Sequence, residues 1–258
     1  MSLWILLSKV NHLLFTKTML SSRCLSDRTA DGYPIKSNEM NSLRRKFRGL
    51  VQRRLLPQWV QRMTWNHEYA AGEWDSRSLH TPNDPIYEVL LKYCSDRDVC
   101  DIGSGHGNTV VELPPIYRTY TGVDISDVAL GIAAKRAAET GRQRVTFIQG
   151  CMHTFKPTRK VDVFLFRESL MYVCRRRSRV ESEMSSFLHR YASMLAPGGI
   201  MVVRLCTGTI GEDRLASSVE AIVCEKFSLI ERRCTQEPPS LSLVFRPVYE
   251  IGSRCLRK

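Results

Sequence analysis

Apolar and polar positions change period several times along this chain, and the changes divide it into elements. After Leu43, the apolar residues Phe47, Leu50, Val51 and Leu55 follow at offsets of four, seven, eight and twelve, with arginines and Lys46 between them. That spacing predicts an amphipathic helix over 41–55, ending before Pro57. It could pack its apolar stripe on its own domain or lie on a membrane surface. From residue 85, helical and strand-like stretches alternate. Ile86–Tyr93 reads as a helix, Asp98–Ile102 and Tyr120–Asp124 as strands, and Asp127–Thr140 as a helix closed by Gly141. Val145–Gln149 is a third strand, and Val161–Phe166 is apolar enough to be buried on both faces. Ser178 and Glu181 fit a capping box for a helix through Leu195, broken by Pro197-Gly198-Gly199 before a strand over Ile200–Leu205. A helix over Arg214–Lys226 and strands over Phe227–Arg232 and Leu241–Phe245 complete the set. Alternation of this kind implies βαβ units and a mainly parallel sheet.

The pattern divides the chain into a leader (1–40), a helical cap or lid segment (41–84) and an α/β domain (85–258). Charge sharpens that division. The whole chain carries +12, but residues 1–60 hold 11 Lys/Arg against 3 Asp/Glu, leaving 27 against 23 for the remainder. The domain itself is only mildly basic, so the charge is no footprint for nucleic acid on a folded face. Residues 1–23 have no acid and mix Trp4, Ile5, Leu6 and Leu7 with Lys9, Lys17 and Arg23. Such a start fits a mitochondrial presequence, a poorly ordered leader of a cytoplasmic protein, or a start placed too early, with Met19 and Met40 as later candidates. No apolar run approaches the ~20 residues of a membrane-spanning helix. Nine cysteines occur singly, without metal-ligand spacing, which reads as reduced thiols and no metal site.

The chemistry concentrates in Asp101-Ile102-Gly103-Ser104-Gly105-His106-Gly107, at a strand-to-helix turn where an open α/β sheet binds its ligand. Glycines there permit a tight turn and close approach of a ligand to the backbone. The spacing is G-x-G-x-G, and position 108, where a dinucleotide fingerprint wants its third glycine, is Asn108. Asp124 ends the next strand, 21 residues after Gly103, where a carboxylate can accept from both ribose hydroxyls.

These residues resemble the class I S-adenosylmethionine-dependent methyltransferases. Asp101–Gly107 is similar to the family's first motif, Gly122-Val123-Asp124-Ile125-Ser126 to its second, and Leu195-Ala196-Pro197-Gly198-Gly199 to the turn before its fifth strand. The resemblance implies a Rossmann-like, seven-stranded, mostly parallel sheet with helices on both faces, preceded by an N-terminal helical extension. It implies S-adenosyl-L-methionine as cofactor, lined by Gly103, Ser104, Gly105, Gly107 and Ile125, with Asp101 at its amino-acid end and Asp124 at its ribose. The acid usual after the third strand is replaced by Gly150-Cys151-Met152-His153, leaving Met152 to pack on the adenine. The Trp65–Trp74 segment resembles lids of small-molecule methyltransferases, which puts Tyr69 and Trp74 at the cofactor; the other reading is that Trp65 and Trp74 anchor a helix on the core.

Methyl transfer from a sulfonium is a displacement that needs alignment and a free lone pair on the acceptor. By the resemblance, the end of the fourth strand, Phe166–Tyr172, faces the methyl group. Arg167 is expected at the cofactor, Glu168 as an acceptor-orienting carboxylate or base, Tyr172 as a hydrogen-bonding wall and His153 as a reserve base. The chain is thus expected to methylate an amine or hydroxyl of a small molecule in secondary metabolism. Rival readings are an RNA or protein methyltransferase guided by the basic leader and the Arg175–Arg179 run, and a cofactor-binding module without catalysis.

Overall fold

The computed structural model describes residues 56–74, 84–174, 177–237 and 239–248. The leader and the 41–55 helix lie outside them. The helices are α1 (Gln58–Ala70), α2 (Ile86–Tyr93), α3 (Asn108–Glu112), α4 (Asp127–Glu139), α5 (Val180–Ala192) and α6 (Ile210–Lys226). The strands are β1 (Asp98–Ile102), β2 (Thr119–Asp124), β3 (Val145–Gln149), β4 (Val161–Arg167), β5 (Leu195–Cys206), β6 (Phe227–Gln236) and β7 (Pro239–Pro247). They form one seven-stranded sheet in the order β3-β2-β1-β4-β5-β7-β6. The first five run parallel and β7 is antiparallel to both neighbours. This is the Rossmann-like methyltransferase arrangement that the sequence motifs imply.

Strand pleating explains why the central strands read as continuous apolar runs. Successive side chains point to opposite faces, so Phe164 and Phe166 of β4 enter one core with Met184, Leu188 and Tyr191 of α5 and Val219 and Val223 of α6. Val163 and Leu165 enter the other core with Ile86 and Leu90 of α2 and Val110 of α3. With both faces covered, no polar alternation survives.

Strand order reverses beside β1, which lies between β2 and β4. The chain leaving β1 passes to the helix α3 on one face and the chain leaving β4 to α5 on the other, and such a switch point is where open α/β sheets take their ligands. The loop from β1 turns through Gly103, Gly105 and Gly107, all at positive φ. Gly107 has φ +78°, and a Cβ there would sit 2.8 Å from Ala133 Cβ on α4. Backbone strain and a clash against a helix lead us to expect that Gly107→Ala costs about 2 kcal/mol of unfolding free energy. A urea midpoint equal to that of the parent would show that α4 can give way.

Three local expectations need correction. Arg179, not Ser178, precedes α5, no side-chain cap forms there, and residues 177–179 make a 3-10 turn. The expected box fails because that extra turn shifts the helix start by one residue. The helix ends at Ala192 rather than running to Leu195, which already pairs with Val161, and β5 passes through Pro197-Gly198-Gly199 with a register shift against β4. α6 begins at Ile210, four residues before its expected start at Arg214, because Thr209 caps it: its side chain accepts from the Glu212 amide at 3.3 Å.

Candidate functional site

Asp124 ties the glycine loop to the end of β2. Its Oδ2 accepts from the Gly105 amide at 2.9 Å and its Oδ1 from the Ser126 amide at 2.9 Å. Burial raises its pKa, and those amides oppose the shift. Ser126 in turn caps α4, its Oγ accepting from the Ala129 amide at 3.0 Å. A short stretch of sequence therefore fixes an acid, two loop turns and a helix start together.

Asp101 is 1% exposed at the end of β1, and Tyr120 Oη donates to its Oδ2 at 2.5 Å. Burial pushes its carboxyl up to about 6, against the pull of the Tyr120 and Thr109 hydroxyls and the charge of Arg167. Asp101 Oδ1, Ser104 Oγ and Ser169 Oγ are buried without a hydrogen-bond partner. Ser169 arrives from the β4 end and stands over the loop, so that a Cβ on Gly103 would lie 2.6 Å from Ser169 Cβ. Bare backbone, an orphaned carboxylate oxygen and two orphaned hydroxyls fit a ligand bearing both ammonium and carboxylate groups, because the acid can accept and the hydroxyls can do either. Gly103, Ser104, Gly105, Gly107, Asp101 and Asp124 thus lie together around the turn that leaves β1.

The aromatic residues of the Trp65–Trp74 segment lie on and just beyond α1. Asn66 docks this helix: its Nδ2 donates to Asp127 Oδ1 at 2.8 Å, and its Oδ1 accepts from Ser126 Oγ at 2.7 Å. Tyr69 Oη consequently reaches 2.8 Å from where a Gly105 Cβ would be, and the ring packs edge-on against His106 at 5.4 Å. Burial, reinforced by the charge of Asp124, raises the Tyr69 pKa well above the ordinary value. The hydroxyl therefore stays protonated. Trp65 packs on Tyr69, Trp74 and, edge-on at 5.1 Å, on Tyr172. Trp74 Nε1 donates to Glu68 Oε2 at 3.0 Å. Trp65, Tyr69, Trp74 and Tyr172 thus form one aromatic layer against the loop.

Other expected site residues sit differently. Arg167 points to Asp84 and Tyr87, with Nη2 2.8 Å from Asp84 Oδ2 and Nη1 donating to Tyr87 Oη at 3.1 Å. It still lies close enough to Asp101 to act on its charge. Glu168 turns back onto β5, where it pairs with Arg204 and accepts from the Cys206 amide at 3.0 Å. Met152 packs against the core, and its carbonyl accepts from Arg190 at 2.5 Å and Tyr191 at 2.6 Å. His153 packs edge-on against Phe187 and lines a separate groove of about 440 Å³ with Val173, Ser186 and Arg190. Ile125 lines a pocket of about 290 Å³ with Gln149, Gly150, Gln58, Trp59 and Arg62.

Sequence reasoning missed Ser169, Asn66, Asp84 and Arg204. The last had a signal: an arginine inside the apolar run Met201-Val202-Val203-Arg204-Leu205 demands a buried counter-charge. Among the described residues, no helix is long and apolar enough to cross a membrane, and no cluster of His, Cys, Asp or Glu has the arrangement of a metal site.

Residues 95–242 match a family described as a methyltransferase domain. No curated protein matches the chain in sequence. Among solved structures, the N-methyltransferase NodS from Bradyrhizobium japonicum WM9, in complex with S-adenosyl-L-homocysteine, is 20% identical, with TM-score 0.51 over 65% of this chain and 90% of its own. Magnesium protoporphyrin IX methyltransferase (ChlM) from Synechocystis PCC 6803, with bound SAM, is 16% identical, with TM-score 0.52 over 73% of this chain and 96% of its own. With a family match across more than half of its length and the matching sheet order, the chain belongs to the methyltransferase-domain family and has the class I S-adenosylmethionine-dependent methyltransferase fold.

Proposed function

We propose that the chain binds S-adenosyl-L-methionine and transfers its methyl group to a nitrogen or oxygen of a small-molecule acceptor. The observation that carries this reading is the junction at Asp124, where one buried carboxylate holds the bare glycine loop through the Gly105 amide. A carboxylate oxygen has a second lone pair, so both oxygens can still accept from ribose hydroxyls while keeping those amides. Gly103 and Gly105 admit the donor against the backbone, Gly107 closes the turn against α4, and Asp101 with Ser169 and Ser104 holds the donor's amino-acid end.

When bound, the donor supplies an activated methyl on a sulfonium that leaves as a neutral thioether. The protein's part is alignment and exclusion of water. The aromatic layer of Trp65, Tyr69, Trp74 and Tyr172 covers the loop, and ring faces suit a sulfonium cation. Tyr69, held neutral by burial, offers a hydroxyl rather than a second negative charge. Glu168 takes a positioning role: its ion pair and amide contact hold the β4 turn that places Ser169 over Gly103. The small-molecule reading is supported by this covered site and by the modest charge of residues 61–258.

Asp124→Ala should weaken binding of S-adenosyl-L-homocysteine by roughly tenfold to a hundredfold, the worth of charged hydrogen bonds to two hydroxyls. Calorimetry on the full chain checks this, and unchanged affinity would move the ribose elsewhere. Labelled donor incubated with a metabolite fraction and, separately, with total RNA tests the acceptor. Label confined to RNA overturns the small-molecule reading.

A further inference from the structure

The pocket beside Ile125 has two walls of different origin. Ile125, Gln149 and Gly150 come from the tips of β2 and β3, whereas Gln58, Trp59 and Arg62 come from the first turns of α1. The α1 wall is fixed in place. Val60 and Thr64 are buried beneath it, and Asn66 bonds to Ser126 and Asp127, the two residues that follow Ile125. Trp59 keeps 54% of its surface exposed beside the pocket, so its ring is not used by the core. On the reading above, the ribose lies at Asp124, and the pocket next to Ile125 is where the base of the nucleoside would go. Among the described residues, no carboxylate lines it. Met152 is engaged elsewhere, through its side chain in the core and its carbonyl on Arg190 and Tyr191. Among the described residues, Gln149 Nε2 makes only long contacts, 3.3 Å to Asp127 Oδ1 and 3.4 Å to the Ile125 carbonyl.

We propose that this pocket takes the purine of the donor under the Trp59 ring and reads its edge with the primary amides of Gln149 and Gln58 instead of a carboxylate. The inference rests on the donor reading given above and carries a consequence for specificity. A carboxylate only accepts, so it selects the exocyclic amine of adenine and is left facing an oxygen when that amine becomes a carbonyl. A primary amide has an acceptor and donors on one planar group and can turn over. It satisfies the amine and acceptor ring nitrogen of a 6-aminopurine in one orientation. In the other it satisfies the carbonyl and ring N–H of a 6-oxopurine. Discrimination arises where a mismatched analogue leaves a site group unpaired, and here neither base does. The site therefore accepts both classes of purine nucleoside thioether.

Calorimetry on the full chain with S-adenosyl-L-homocysteine and S-inosyl-L-homocysteine tests this. The two should bind within about fivefold of each other, and Gln149→Glu should open a gap of about tenfold or more against the inosyl compound. Trp59→Ala, at a position outside the buried core, should weaken both by roughly tenfold, the worth of a stacked base, and should remove part of the tryptophan fluorescence quenching on binding. A parent preference above about fiftyfold for the adenosyl compound overturns the amide reading. Unchanged affinities in both variants place the purine outside this pocket. In those cases the donor reading stands; if the parent chain takes up neither thioether, the donor reading falls and this inference with it.

Discussion

Replacing Arg204 by alanine should lower the free energy of unfolding by about 3–5 kcal/mol, the range for breaking a buried ion pair on one side. Arg204 is 5% exposed and lies in register beside Arg167 across the parallel β4–β5 pair. Two guanidinium groups this close survive only because Asp84 and Glu168 oppose them. Asp84 Oδ2 lies 2.8 Å from Arg167 Nη2 and 3.2 Å from Arg204 Nε, and Glu168 pairs with Arg204. Burial works against the Arg204 charge, but Glu168 and Asp84 more than offset it, so its pKa is raised. Alanine would strand Glu168 at a backbone with φ +57°, a left-handed conformation that costs a non-glycine residue of order 1 kcal/mol. The turn carrying Ser169 would then loosen, and donor affinity should fall with stability. Urea denaturation of Arg204→Ala, Glu168→Gln and the double variant checks the coupling, which should exceed about 1 kcal/mol. Additive losses would mean that the two side chains do not depend on each other.

How far this architecture can be read from the chain follows from the range of the interactions involved. β1, β3 and α2 match their sequence-based bounds because an apolar period and flanking turn residues are local. The loop from Asp101 to Gly107 and the acid at Asp124 are legible for the same reason: a tight turn, a close approach and a strand tip are each written within a few residues. Asn66 is different. Its partners Ser126 and Asp127 lie about sixty positions away, and nothing in an exposed-looking asparagine announces a helix dock. Asp84 and Glu168 likewise find Arg204 across 120 and 36 positions. That pairing changes the meaning of Glu168, which reads as a base when seen alone and as a brace once Arg204 is seen beside it. The expected capping box at Ser178 shows the converse, a local signal overruled when the chain takes a 3-10 turn before α5.

Converting Asp101 to asparagine should remove a pH dependence from both stability and donor binding. Burial lifts the folded carboxyl to about 6, whereas an unfolded aspartate titrates near ~3.9. The folded state therefore holds this proton more tightly than the unfolded one. The stability this provides is fully present below about pH 4 and is lost as pH rises through about 6, a change on the order of 3 kcal/mol for a shift of about two units. Asp101→Asn keeps an oxygen for Tyr120 Oη but cannot ionise. The difference in unfolding free energy between variant and parent should thus move in the variant's favour by roughly that amount between pH 4 and 7. Binding should show the opposite dependence. The donor's ammonium group prefers the ionised acid, so parent affinity for S-adenosyl-L-homocysteine should improve from pH 5 to 7 and then level, while the variant stays weak and flat. Urea midpoints and calorimetry over that interval measure both quantities. Parallel stability curves for the two proteins would mean that Asp101 titrates alike in the folded and unfolded chains, and a flat parent affinity would take the ammonium away from it. If both trends hold, the acid costs the empty protein stability above about pH 6, and the bound donor restores it by pairing with the orphaned Oδ1.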